Sequence, residues 1–125
     1  YIMKCASFAK VCFSCHADKE ELMNKNTLHP PFAGGDCAMC HSPHVAKYRS
    51  FLKADPQNLC RQCHDNITDK DHPVINHQTF IKDTPNPRDS SKPFDCTSCH
   101  EAHASDFPRL KFSGHSSFCL ECHQK

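Results

Sequence analysis

Tryptophan is missing from this chain, and apolar residues of every kind amount to only 38% of its 125 positions. Mean hydropathy is −0.66. A chain so poor in apolar side chains struggles to bury enough surface to fold on its own. No run approaches the roughly 20 apolar residues of a membrane-spanning helix, so no transmembrane segment is expected. Excess charge of one sign is also lacking: 15 Lys and Arg stand against 14 Asp and Glu, with the basic residues scattered singly. That is an ordinary solvated surface and offers nucleic acid no footprint. Strand-like alternation is absent too, and nine prolines interrupt the rest, among them the Pro30-Pro31 pair.

What the chain has is cysteine and histidine, 11 of each. Ten of the cysteines fall into five Cys-x-x-Cys-His runs: Cys12-Phe13-Ser14-Cys15-His16, Cys37-Ala38-Met39-Cys40-His41, Cys60-Arg61-Gln62-Cys63-His64, Cys96-Thr97-Ser98-Cys99-His100 and Cys119-Leu120-Glu121-Cys122-His123. Cysteines at i and i+3 of one helical turn reach the two vinyl groups of a porphyrin, and a histidine at i+4 points at the iron. Each run is the attachment signature of covalent c-type haem (heme c). Five haems are therefore expected, with His16, His41, His64, His100 and His123 as proximal ligands. Zinc ribbons also use paired cysteines, but zinc does not require a histidine directly after the second one. A disulfide framework fails on the same ground. At this histidine frequency, five such hits by chance amount to roughly one in a hundred thousand.

Five porphyrins would resolve the shortage of apolar side chains by becoming the core themselves. The predicted fold is mostly coil with short α-helices wrapped around a chain of haems, with little or no β-sheet, in a single domain spanning 1–125. Short helical turns carry the motifs, Glu20 to Lys25 extends the first into a helix, and Lys82 to Pro93 reads as a polar, Pro-rich loop. The formal charge of +1 also changes meaning. Propionates and ferric irons bring the oxidised protein to about −4 and the reduced one to about −9. Thioether attachment happens outside the cytoplasm, so an export signal before Tyr1 is expected to have been removed, and the location is periplasmic or extracellular.

An internal repeat runs through the chain: 37–64 matches 96–123. Cys37 to Cys60 and Cys96 to Cys119 are both 23 residues apart. Cys-His-Ser-Pro-His ends on His44 and Cys-His-Glu-Ala-His on His103, while Tyr48 aligns with Phe107 and Phe51 with Leu110. His29-Pro30 and His72-Pro73 precede the two blocks. Such a period marks a quasi-linear architecture. The order Cys-x-x-Cys-His, His-Pro, Cys-x-x-Cys-His-x-x-His, Cys-x-x-Cys-His, from Cys12 to His123, resembles the doubled-CxxCH family of multihaem cytochromes c. The resemblance implies close-packed bis-histidine haems conducting electrons in a line, with the histidine after a motif serving a neighbouring haem. Some relatives form extracellular filaments; others are soluble or sit in larger conduits.

Six histidines remain for five distal positions: His29, His44, His72, His77, His103 and His115. The repeat and the motif both select His44 and His103, and the His-Pro position selects His29 and His72. His77 and His115 compete for the last place, with His77 ahead. Met3 and Met23 are unneeded as ligands, and Met39 should point away from its iron. Cys5 lies outside every motif, as a quiet thiol or a disulfide to a neighbouring chain.

Electron transfer rather than catalysis follows, because enough histidines are present to close every iron, and a reductase of oxyanions needs an open one. Within that class the preferred reading is a polymerising filament (nanowire) subunit whose partners are copies of itself or other redox proteins. A soluble periplasmic shuttle and a segment of a longer conduit are the alternatives.

Overall fold

In a computed structural model, residues 5–68, 71–72, 77–114, 119–120 and 123 are described. Met3, His115 and Cys122 lie outside the described residues, as does the side chain of Cys5. Helix α1 (Cys5–Phe13) carries the first motif at its end, and α2 (Ala17–Glu21) follows after His16 and runs into a 3-10 turn over Leu22–Asn24. The helix expected over Glu20 to Lys25 is thus a separate short element that starts earlier. Next come β1 (Thr27–Leu28), α3 (Pro30–Ala33) and 3-10 turns at Cys37–Met39 and Arg49–Phe51. Helix α4 (Pro56–Arg61) carries the third motif. Proline at the first helical position starts both α3 and α4, where its missing N–H costs nothing.

Strands β2 (Ile81–Asn86) and β3 (Asp89–Phe94) form an antiparallel ribbon. This corrects the loop expected from Lys82 to Pro93. The turn is closed by Asn86, whose side-chain oxygen accepts from the Arg88 N–H at 2.8 Å. The ribbon pairs irregularly at Pro85 and Pro93 and leaves most side chains in water, so no hydrophobic alternation announces it. A second ribbon joins β1 to β4 (Ala104–Ser105), so the expectation of little or no sheet is met only in extent.

The duplication is visible in three dimensions. His41 bridges to Leu52 and His100 to Lys111. Ser42 N–H donates to Phe51 at 2.7 Å, and Glu101 N–H to Leu110 at 2.6 Å. Among the described residues, the buried apolar side chains are only Ala9, Phe32, Pro56, Phe94 and Ala104. Short polar ties join the segments. One tie is buried: Arg49 donates to Asp95 at 3.1 Å and to Thr97 at 3.1 Å, linking the first repeat to the fourth motif.

Candidate functional site

All five motif histidines make the same backbone bond. The N–H of the motif histidine donates to the carbonyl of the first cysteine four residues earlier, at 2.9 Å in His16 and His123 and 3.0 Å in His41, His64 and His100. In the first four motifs that i to i−4 bond puts both cysteines and the histidine on one face, as two thioethers and one axial ligand would require. Local caps hold the turns. Asp55 accepts from the Asn58 N–H at 3.2 Å ahead of the third motif. Before the fourth, Asp95 accepts from the Thr97 N–H at 2.9 Å, while its own N–H donates to Ser98 at 3.0 Å.

Four of the motif imidazoles each face one imidazole from outside the motifs. Ring centres are 6.3 Å apart for His64 and His29, 6.1 Å for His41 and His103, 6.3 Å for His100 and His72, and 6.2 Å for His123 and His77. Interplanar angles, in the same order, are 21°, 18°, 65° and 89°. A metal held by two opposed imidazole nitrogens fixes the centres about 6.3 Å apart, from metal–nitrogen bonds of about 2.0 Å, and leaves rotation about the axis free. The four spacings match that value at every angle, and His77 also stacks on Phe94 with centres 6.4 Å apart. The donor set therefore fits an iron between each pair.

Two of the proximal rings are oriented by main chain. Nδ1 of His41 lies 2.8 Å from the Ser50 carbonyl, and Nδ1 of His100 lies 2.7 Å from that of Arg109. A carbonyl only accepts, so each Nδ1 carries the proton and Nε2 is left bare for a metal. His77 has the same arrangement with the Gln78 carbonyl at 2.9 Å. Burial holds His103 down at about 4, with the Lys19 charge adding to the effect. Burial also lowers His29, against a main-chain hydrogen bond at Ala102. Both rings are neutral at pH 7, the form that coordinates.

Cysteines of successive motifs are neighbours. Cys37 is raised by burial and then by Cys12, Cys40 by burial and then by Cys63, and Cys60 by its hydrogen bond to Cys96. Cys96 is lowered by the same contact. With haem attached these sulfurs would be thioethers without protons, and what would carry over is their proximity. Attachment points one to four thus follow one another in space as in sequence.

Sequence reasoning placed His29, His72, His77 and His103 as candidate ligands, and each stands opposite a motif histidine. His44 does not: it is exposed, and among the described residues no imidazole faces it or His16. The carbonyls of Ser50 and Arg109 were missed, because a main-chain acceptor leaves no residue-type signal.

The family described as doubled CXXCH motif matches this chain twice, over residues 29–69 and 89–125, well over half of it. Its two matches coincide with the two repeats. A comparison with curated proteins finds no match. Among the described residues, no helix is long and apolar enough to cross a membrane.

Proposed function

The chain belongs to the doubled CXXCH motif family of multihaem c-type cytochromes, whose work is electron transfer; from that premise we propose that it conducts electrons along five bis-histidine haems as the subunit of an extracellular filament. The observation that carries the reading is the four imidazole pairs at 6.1 to 6.3 Å, each joining one motif histidine to one histidine from elsewhere. Bound haem supplies a reversible one-electron couple at each attachment site. The residues supply everything else. His29, His103, His72 and His77 would hold the distal positions opposite His64, His41, His100 and His123, which would leave those irons no place for substrate or oxygen. This disfavours an oxyanion reductase. Cys12 beside Cys37, Cys40 beside Cys63 and Cys60 beside Cys96 hold successive attachment points together, giving a path that runs in chain order.

Attachment through thioethers places the working protein outside the cytoplasm. The repeat favours an array over a diffusible shuttle, because a quasi-linear string of similar units passes electrons end to end. Electron microscopy of the natively purified protein, with mass measured on the same sample, tests this. Filaments at a mass of five haems per chain are expected. Discrete particles of one or two chains would leave a soluble electron carrier, and a high-spin ferric signal in the assembled protein would revive the enzyme.

A further inference from the structure

Each repeat places an aspartate directly before its first motif, Asp36 ahead of Cys37 and Asp95 ahead of Cys96. The two have different surroundings. Asp36 is half-buried and makes no cap hydrogen bond. The Asp95 side chain is 2% exposed, and it accepts from the Thr97 N–H at 2.9 Å, the Thr97 hydroxyl at 2.6 Å and Arg49 at 3.1 Å. Arg49 has no counterpart in the second repeat, where Pro108 holds its place. The chain before the fourth motif is also longer. The β2–β3 ribbon occupies the added length and delivers buried Phe94 directly ahead of Asp95.

Three other ion pairs lie in water. Lys19–Asp18, Lys25–Asp106 and Lys92–Asp89 have every side chain at least 41% exposed, so solvent and salt screen them. A carboxylate as buried as that of Asp95 is screened far less, and its field reaches its neighbours. Those neighbours are the attachment points of the third and fourth motifs. The Cys60 thiol is pushed up by its hydrogen bond to Cys96, then by burial, by Cys96 and by the Asp95 charge. Cys96 is lowered by the same bond, against burial and the Asp95 charge, with Arg61 of α4 acting alongside. Arg49 is held at this junction as well, since it donates to the Thr97 hydroxyl inside the fourth motif at 3.1 Å.

We infer that Asp95 and Arg49 set the potentials for electron transfer between the third and fourth haems. The buried carboxylate favours ferric iron in the haems at Cys60 and Cys96, and the guanidinium offsets it. Reducing one of these haems adds an electron to its iron and cancels one positive charge. The electron comes from the neighbouring haem, which is oxidised, and no bond forms or breaks. A fixed anion beside the two therefore opposes reduction, and a fixed cation assists it. The haems at Cys37 and Cys96, equivalent in the repeat, thereby acquire different potentials. This holds only where haem is attached as read above, and it does not depend on whether copies assemble.

The test is a spectroelectrochemical titration of the full haem-loaded chain, with the haem count verified by mass. Asp95→Asn keeps the shape of the side chain and removes its charge. At a fixed applied potential it should raise the ferrous-to-ferric ratio of the two affected haems about tenfold, while the others hold. Arg49→Met should lower that ratio by a similar factor, and Arg49→Lys, which keeps the cation, should stay nearer the parent. Should Arg49→Met fail to fold, the double variant with Asp95→Asn replaces it and should return from the Asp95→Asn values toward the parent. Asp89→Asn, on a pair in water, should leave every potential in place, and the Asp95→Asn shift should persist in high salt. A merely structural tie would expose the same haems in either variant and move them in one direction. Shifts of the same sign in Asp95→Asn and Arg49→Met would therefore overturn the inference, as would a double variant displaced further than Asp95→Asn. So would Asp95→Asn potentials equal to the parent's or displaced alike at every haem. A parent without haem at Cys60 or Cys96 would instead sink the multihaem reading beneath it.

Discussion

The Nδ1 atom of His41 lies 2.8 Å from the carbonyl oxygen of Ser50, nine residues on, and His100 repeats this with Arg109 at 2.7 Å. Both carbonyls belong to residues in the left-handed region, Ser50 at φ 56 and Arg109 at φ 60, and each is followed by a second such residue, Phe51 or Leu110. No glycine relieves the strain, which costs roughly 1–2 kcal/mol per residue. The recurrence of the same strained pair in both repeats ties it to what it aims, the histidine tautomer.

Replacing Ser50 separates the strain from its use. Ser50→Gly keeps the left-handed turn open to the chain, and its stability should stay within about 1 kcal/mol of the parent. Ser50→Val puts a β-branched side chain where φ is positive and should cost about 1–3 kcal/mol. The valine variant should also move the carbonyl off Nδ1. A histidine without that acceptor donates less electron density, so one midpoint potential should rise while the others hold. Spectroelectrochemical titration of both variants reads this. Equal potentials in Ser50→Val and the parent would show that the carbonyl does not tune the site.

The Arg49 guanidinium donates to Asp95 at 3.1 Å, and the Asp95 side chain is 2% exposed. Removing the cation leaves a buried carboxylate opposed only by hydrogen-bond donors from its own cap. Arg49→Met should therefore destabilise the protein by about 3–5 kcal/mol. The double variant Arg49→Met with Asp95→Asn should recover a large part, because the buried charge goes with its partner. Denaturant unfolding of the haem-loaded proteins measures both.

Asp106 carries a smaller, pH-dependent tie across the β1–β4 ribbon. It accepts from Lys25 at 3.1 Å and from the Asn26 N–H at 3.3 Å, and these bonds, the lysine's first, hold its carboxyl below the ordinary carboxylate range. A carboxylate depressed in the folded state contributes stability above its unfolded value of about 3.9 and loses it as pH falls through the folded value. The group is exposed, so the contribution is small. Between pH 5 and pH 3 the parent should lose a component of stability that Asp106→Asn lacks at every pH. Parallel unfolding curves for the two proteins across that range would remove Asp106 from the account.

How much of this was legible beforehand differs by element. Cys-x-x-Cys-His is local, and the same histidine-to-cysteine backbone bond appears at all five places where the sequence puts it. Candidate ligands were legible as a residue type, because histidine far exceeds ordinary need. Their pairing was not: His103 reaches His41 across 62 positions of chain, and only the β1–β4 seat decides that. The His-Pro position picked out His29 and His72 without fixing what each faces. His29 faces His64, the second motif of its repeat, and the residue doing the same in the other repeat is His77, facing His123, whereas His72 faces His100. Equivalence lies in which iron is reached, and the neighbouring proline has no part in that. The β2–β3 ribbon was illegible because its side chains face water, so its strands show no period-two signal.

His103 offers the sharpest test of the pairing itself. It packs against Phe32 with ring centres 5.1 Å apart and stands 6.1 Å from His41, while its carbonyl, not its side chain, joins β1. His103→Ala should therefore leave the ribbon formed and open the position opposite His41. The expected result is one haem in five high-spin in otherwise assembled protein, returned to low-spin by added imidazole. His103→Met should keep that iron low-spin through its thioether and raise its potential, since sulfur favours the reduced metal. His72→Ala and His77→Ala should each open one further position, and pairs of these variants should add. A His103→Ala protein that stays wholly low-spin without imidazole would mean that some other side chain closes that iron, and that the ring spacing does not report ligation.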